Sequence, residues 1–295
     1  MYVTGDHARP DAHRPAVVDA GTGRSTGRVG PTTPLRLARV IADPADTTGS
    51  GGRYTPALAG YLADLARLHG MRRGPDDFAG VARTTFTDLV RPLVAELADA
   101  PVDLIVLAHV TPDAEPGWPA SFLTGALPGE PLAFAVADQG VVAPFTALRV
   151  AAAYARADRI ERVLVVLLDQ GTFLTAGPLP EVGVGLVALV LARDGTLGEL
   201  STQVVTGVTP PQARSVLASS LADFAGTSAT GGALSPATGP QEPARHPGEL
   251  PATGLWRGLT GRAAGAGPVA LADYEPAARC LGICVVAPTV GEPAS

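Results

Sequence analysis

The sequence contains no lysine and no asparagine, and it has only two cysteines and five histidines. The missing lysine excludes catalysis through a lysine Schiff base. The missing asparagine excludes a Cys-His-Asn catalytic site and any Asn-linked glycan acceptor. Apart from histidine, every basic residue is therefore an arginine.

Charge is also scarce. Charged residues make up 17% of the 295 residues, hydrophobic residues 46%, and the formal net charge is −6. This composition favours a folded protein with a sizeable core and argues against a nucleic-acid partner. No run reaches the roughly 18 apolar residues that cross a bilayer, and the first residues lack the apolar segment of a signal peptide. We therefore expect a cytoplasmic protein with no membrane or nucleic-acid partner.

The two cysteines, Cys280 and Cys284, lie in one predicted strand and point to the same face. Their Cα atoms would then be roughly 13 Å apart, too far for a disulfide. We expect two reduced, buried thiols. No group of His, Cys and Asp residues has the spacing of a metal site, and we expect no cofactor.

Apolar runs and helical spacing indicate an α/β protein. Buried strands are predicted at Val102–Val110, Leu132–Ala137, Arg162–Asp169 and Val182–Arg193. Helices are predicted at Pro56–His69, Phe78–Asp99 (with a kink or break near Pro92) and Ala143–Ala157. The segment Leu35–Asp43 fits a strand or a short helix.

The second part of the chain has a weaker pattern. It predicts a strand within Leu197–Val208, a helix at Pro211–Phe224, a Gly/Pro-rich loop at 227–251, a short helix at Thr253–Ala263 and a hairpin turning near Glu275–Ala278. The order of elements divides the chain into residues 1–195, with an irregular N-terminus, and a shorter part, residues 196–295.

The stretch AFAVADQGVVAPFTALRVAAAYARA joins a strand to a helix at Asp138-Gln139-Gly140. Many α/β enzymes place a nucleophile at such a junction, but no Cys, Ser, Lys or His is present at this one. Either Asp138 caps the helix, or Asp138–Val141 and Phe145 belong to a vestigial pocket or an interface.

Four segments, DLIVLAHVTPD, AFAVADQGVVAPFTALRVA, RVLVVLLDQ and VGVGLVALVLARD, resemble in this order the landmarks of thiolase-fold condensing enzymes. The family that they resemble most is ketoacyl-acyl-carrier-protein synthase III. The resemblance covers about residues 100–195 well and parts of 210–286 weakly. It implies a thiolase-like fold with two unequal α/β halves and a shortened second half.

The catalytic positions implied by the resemblance carry no catalytic residues. The family's Cys falls at Val141, or at Gly140 or Gln139 if the preceding strand is aligned instead. The family's His, in PPQAR, falls at Pro211, and its later Asn, in GTS, falls at Gly226. In this respect the chain is similar to the chain-length factors of aromatic polyketide assembly, which lack the Cys and pair with an active synthase.

The resemblance implies a catalytically degenerate ketosynthase-like subunit of polyketide or fatty-acid-like biosynthesis. It would form a heterodimer with an active ketosynthase, shape its acyl pocket and have an acyl carrier protein as a further partner. The alternative is a thiolase-fold acyltransferase, hydrolase or cyclase that uses His109, His246, Asp138 or Ser121. A homodimer without a synthase partner is the third interpretation.

Overall fold

The computed structural model describes residues 29–42, 52–68, 70–78, 82–113, 118–157, 160–170, 184–234 and 250–289. The predicted irregular N-terminus therefore lies almost wholly outside the described residues, as does most of the predicted loop at 227–251. In the described ranges the strands are, in chain order, β1 (Thr32–Ala42), β2 (Gly52–Arg53), β3 (Ala82–Arg83), β4 (Leu104–His109), β5 (Leu132–Val136), β6 (Arg162–Asp169), β7 (Gly185–Ala192), β8 (Gly198–Thr206), β9 (Thr227–Thr230), β10 (Val269–Glu275) and β11 (Cys280–Ala287).

The helices confirm some predictions and correct others. They are α1 (Pro56–Leu68), α2 (Phe86–Val90), α3 (Leu93–Glu96), α4 (Pro119–Ala126), α5 (Ala143–Ala157) and α6 (Pro210–Ser220). Single 3-10 turns lie at Pro75–Asp77, Gly140–Val142, Gly232–Leu234 and Trp256–Leu259. α1, α5 and α6 were predicted, as were the strands β4 to β8 and the β10–β11 hairpin.

The helix predicted over Phe78–Asp99 begins too early, whereas the break predicted near Pro92 is confirmed. Phe78 follows a 3-10 turn, and α2 begins only after Thr85, whose hydroxyl accepts a hydrogen bond from the backbone N–H of Asp88. The Asp88 carboxylate in turn accepts from the Thr85 N–H, which makes a capping box that fixes the helix start. Pro92 then separates α2 from α3 because it has no backbone N–H to donate.

Two predictions in the second part are also wrong. Residues Thr227–Thr230, predicted as loop, form β9, which pairs in parallel with β10. The helix predicted over Thr253–Ala263 is reduced to the 3-10 turn Trp256–Leu259.

One mixed sheet of nine strands contains all strands except β2 and β3, in the order β5-β4-β6-β7-β1-β8-β11-β10-β9. We call β5-β4-β6-β7-β1 the first half-sheet and β8-β11-β10-β9 the second half-sheet. If the strands of the first half-sheet are numbered 1 to 5 in chain order, their order in the sheet is 3-2-4-5-1. The second half-sheet has the same order without a counterpart of strand 3, because β9, β10, β11 and β8 take the places of strands 2, 4, 5 and 1. The directions of the corresponding strands also match, because β4 and β6 are parallel like β9 and β10, and the other corresponding neighbours are antiparallel. The additional strand β5 pairs in parallel with β4.

The helix α5 lies between the two half-sheets. Its buried residues belong to one apolar core that includes Leu104 and Val165 of the first half-sheet and Leu271 and Val286 of the second. The helices α2 to α4 cover the outer face of the first half-sheet, and α6 covers the outer face of the second. The layers thus alternate helix, sheet, helix, sheet, helix, and the fold has two unequal halves.

No helix in the described part of the chain is long and apolar enough to cross a membrane. Cys280 and Cys284 are free thiols on β11, as predicted, although only Cys284 is buried. Burial raises the pKa of the Cys284 thiol to about 12.

Candidate functional site

The junction between β5 and α5, residues 138–142, keeps an unusual backbone. We call these residues the elbow. Asp138 has φ +61° and Gly140 has φ +54°, both in the left-handed region that few residues other than Gly, Asn and Asp enter readily. The two residues turn the chain from the end of β5 into the 3-10 turn that precedes α5. The sequence therefore preserves a strained turn at the position where the resemblance implies a nucleophile.

A carboxylate from the other half of the protein occupies the elbow. Glu275, at the end of β10, accepts a hydrogen bond from the Val141 backbone N–H with its Oε2 at 3.2 Å. A Cβ atom at Gly140 would collide with the same carboxylate. Backbone N–H groups at a helix start stabilise negative charge, and here the chain's own side chain accepts from one of them.

This contact corrects the prediction that Asp138 caps the helix. Gln139, rather than Asp138, precedes the 3-10 turn, and it makes no side-chain cap hydrogen bond. Asp138 lies one residue before the N-cap position of this turn. Its backbone is left-handed, whereas an N-cap residue is usually extended. The carboxylate that accepts from the elbow is supplied by Glu275, which is distant in sequence.

The positions implied for the nucleophile are inert or already bonded. Val141 is buried and apolar. The Gln139 side-chain oxygen accepts a hydrogen bond from the Thr146 hydroxyl at 2.5 Å. Phe145 is fully buried against Trp256, with ring centroids 5.1 Å apart, so it packs α5 against the second half.

The structure brings Pro211 and Val141 to the same end of the sheet. β8 and β10 are parallel, and Thr206 at the end of β8 pairs with Cys280, which also pairs with Glu275. Pro211 follows in the first turn of α6 and is exposed.

Gly226 lies at the opposite end of the second half-sheet. The next residue, Thr227, pairs with Val269 at the start of β10, whereas Glu275 ends that strand. At about 3.3 Å per residue the separation is roughly 20 Å. The residues that follow β9, beginning with Gly231, are the ones nearer the elbow end.

His109 ends β4 beside a small cavity. Its Nδ1 lies 2.8 Å from the carbonyl oxygen of Thr111, and its ring packs on Phe86 with centroids 5.2 Å apart. A carbonyl can only accept, so the neutral ring carries its proton on Nδ1 and leaves Nε2 as a base. Burial lowers the pKa of His109, while the Thr111 hydrogen bond and the charge of Asp138 oppose that effect.

The cavity beside His109 has a volume of about 220 Å³ and is mostly apolar, with Asp113 and Trp118 among its lining residues. The His109 ring makes no hydrogen bond to a carboxylate in the described ranges, and the Asp113 carboxylate accepts from the Phe86 N–H at 2.8 Å. Ser121 is exposed on α4 and does not line this cavity. His246 lies outside the described residues.

Asp169 is a buried carboxylate whose role sequence reasoning missed. It ends β6 and accepts hydrogen bonds from the backbone N–H of Thr253 at 2.7 Å, the Thr253 hydroxyl at 2.8 Å and the N–H of Ala252 at 3.0 Å. It thereby attaches the first half-sheet to the segment that leads into the Trp256–Leu259 turn. An acidic residue closing an apolar strand was a visible signal, but its partners more than 80 residues away were not.

In the ranges that the structure describes, no three His, Cys, Asp or Glu side chains form a group that could hold a metal ion. The groups at the elbow are the carboxylates of Asp138 and Glu275, the side-chain amide of Gln139, backbone amides and apolar side chains.

No protein-family model matches the sequence, and no curated protein sequence matches it. Solved structures do. The tetronic acid condensing enzyme AbyA1 superposes with a TM-score of 0.53 at 16% identity, over 85% of this chain and 99% of that one. A variant of OleA from Xanthomonas campestris gives 0.50 at 15% identity, over 85% and 98% of the two chains. A second OleA variant, bound with cerulenin, gives 0.50 at 16% identity, over 85% and 96%.

The likeness to these structures agrees with the alternating layers and with the repeated strand order of the two half-sheets. Identities this low establish the fold alone. The chain has a mixed α/β, thiolase-like fold.

Proposed function

We propose that this protein is a non-catalytic ketosynthase-like subunit. It binds an active ketosynthase in polyketide or fatty-acid-like biosynthesis and shapes the acyl pocket of that partner, as a chain-length factor does. The observation that carries the proposal is the elbow, which keeps its strained backbone but has no nucleophile and accepts the Glu275 carboxylate on its N–H.

The chemistry of condensation supports this reading of the elbow. The reaction needs a thiolate that attacks a thioester and hydrogen-bond donors aimed at the oxyanion that develops. Val141 offers no nucleophile, and Pro211 has no N–H. The Glu275 carboxylate puts negative charge beside a donor that an oxyanion would need, which disfavours that oxyanion.

The strand β5 supports the partner part of the proposal. It forms one edge of the nine-stranded sheet and pairs only with β4 in the described part of the chain. Leu132 is 52% exposed on this edge, and Ala135 is exposed as well. An apolar edge without lysine or proline is a template for pairing with another strand. In the resembled family, subunits pair at the strand before the nucleophile helix, which corresponds to β5.

The proposal is tested by co-expressing the chain with the ketosynthase encoded nearest to its gene, followed by affinity capture, size exclusion and product analysis. We expect a one-to-one complex whose product length depends on this chain. Ala135→Lys on the β5 edge should break the complex, whereas Ser228→Lys on β9, at the other edge of the sheet, should leave it intact. Condensation by the isolated chain, or a homodimer that ignores the synthase, would contradict the proposal.

The cavity at His109 supports a second candidate function, acyl transfer, hydrolysis or cyclisation on a carrier-bound thioester. Its basis is the neutral ring with a free Nε2 next to a mostly apolar cavity. Turnover of short acyl thioesters by the purified chain, lost in His109→Gln but retained in the exposed-site control Arg67→Gln, would support this candidate. Absence of turnover in the unmodified chain would remove it.

A further inference from the structure

A second cavity, larger than the one at His109, lies along one flank of α5, and its lining includes Thr146, which donates a hydrogen bond to Gln139 of the elbow. Its volume is about 390 Å³. Residues of α5 from Thr146 to Arg156 form one wall, and β1, β7 and β8 supply the rest. At 1.5 Å per residue, this wall extends for about 15 Å along the helix, so the cavity is elongated.

The unequal halves explain why the cavity exists. The first half-sheet has α5 on its inner face, whereas the described part of the second half places only the segment around Trp256–Leu259 there. That segment packs near the N-terminal end of α5, through the contact between Trp256 and Phe145. No described segment other than α5 covers the inner side of the sheet farther along this helix, where β1 pairs with β8.

The lining of this cavity combines an apolar floor with a cationic rim. Leu148, Leu191 and Leu200 are buried and form the floor. Arg149 and Arg156 are exposed on α5, two helical turns apart, so their side chains bracket the opening. The Arg156 guanidinium donates to the Thr32 carbonyl oxygen at 3.3 Å, which holds it at the rim.

Among the described residues that line the cavity there is no carboxylate. Arg149 makes no ion pair with any described residue. Two uncompensated guanidiniums on a chain of net charge −6 mark a local positive site against an acidic background. An anion at the opening would be attracted there, while a hydrocarbon body would displace water from the leucine floor.

We propose that this cavity binds an amphiphilic anion with one unbranched hydrocarbon chain, whose carboxylate or phosphate head pairs with Arg149 and Arg156. The elongated shape fits a linear chain better than a ring system, and the hydroxyls of Thr33 and Thr202 offer polar contacts partway along it. The inference does not depend on the proposed partner function, because the residues that carry it, Arg149, Arg156 and the three leucines of the floor, belong neither to β5 nor to the elbow.

The test is calorimetric titration of the full chain with decanoate, decyl phosphate, decanol and decyltrimethylammonium below their micelle concentrations. We expect one site for both anions and weaker binding of decanol and the cation. In Arg149→Gln/Arg156→Gln, affinity for the anions should fall about five- to tenfold and affinity for decanol should not change, as expected for two partly exposed charges. Arg67→Gln, an exposed arginine on α1, is the matched control.

A second variant tests whether the ligand enters the cavity, independently of charge. Ala153→Phe projects a ring into the opening from an exposed helix position, so the chain should fold and anion binding should be lost. No binding by the unmodified chain, equal binding of the cation and the anions, or undiminished binding in Ala153→Phe would each overturn the proposal. Comparing decanoate with decyl phosphate decides which head group is preferred.

Discussion

The two half-sheets share a strand order but differ in what covers their inner faces. Among the described residues, the first has α5, with fifteen residues, and the second has a short turn at Trp256–Leu259. The second face is nevertheless buried, because α5 packs on both half-sheets through one apolar core. In the described ranges a single helix, α5, thus serves the inner faces of both half-sheets.

The largest expected loss of stability comes from removing the Asp169 carboxylate, which joins the two halves. Asp169→Ala removes the acceptor for three donors of Ala252 and Thr253, and leaves those donors buried. We expect a loss of about 3–5 kcal/mol in the free energy of unfolding. Urea denaturation measures it, with the exposed Asp64→Ala as control. A loss below about 1 kcal/mol would mean that other contacts hold the second half in place.

The contact between the elbow and Glu275 tests the coupling of the two halves more directly, because the elbow belongs to the first half and Glu275 to the second. Gly140→Ala places a side chain at φ +54° and against the Glu275 carboxylate. We expect destabilisation of about 2–4 kcal/mol. With Glu275→Ala in the same chain, the collision disappears and the cost of Gly140→Ala should fall to the backbone part, about 1–2 kcal/mol.

A double-mutant cycle of these two substitutions, followed by thermal or urea unfolding, measures the coupling between the halves at the elbow. Additive changes in the free energy of unfolding would show that the Glu275 side chain does not collide with a side chain at position 140.

The packing of α5 on the second half can be tested at Gly282. A Cβ there would meet the ring of Phe145. Gly282→Ala should therefore cost about 1–3 kcal/mol. Phe145→Leu should relieve the overlap, so Gly282→Ala should cost less in that background than in the unmodified chain. An equal cost in both backgrounds would place the strain elsewhere on β11.

The smallest expected effect on stability depends on pH and comes from His109, which lies in the first half. The folded-state pKa of His109 lies below the ordinary value of 6.5, so the unfolded chain takes up this proton first as pH falls. Stability should decrease from about pH 6.5 downward and level off below the folded-state pKa, by at most about 1.4 kcal/mol per pH unit. Urea midpoints of the unmodified chain and of His109→Gln between pH 5 and 7.5 measure the difference. Identical pH profiles would show that burial does not perturb this ring.

Sequence patterns located most of the sheet, because its strands are nearly continuous apolar runs such as β6 and β7. They failed where local signals compete. The capping box of Thr85 and Asp88 outweighed the helical spacing before it, so the helix begins later than predicted, whereas the break near Pro92 was predicted correctly. The strand β9 is short and partly exposed, so neither alternation nor apolarity marked it.

The candidate site was predictable only in part. The absence of a nucleophile at 139–141 is visible in the sequence alone. The Glu275 contact is not, because it joins residues 134 positions apart and depends on how the two half-sheets close around α5. The placement of Gly226 far from the elbow likewise follows from the register of β9 on β10, which no local pattern encodes.

The position of β1 has a consequence for how the chain reaches this structure. Although β1 comes first of the nine strands, its two neighbours are β7 and β8, which begin only at Gly185 and Gly198. During synthesis β1 must therefore wait unpaired until the ribosome has released most of the protein. Such distant pairing raises the contact order and slows folding. A nascent chain that stops short of β7 therefore cannot complete even its first half-sheet, because β7 joins β1 to the other strands of that half.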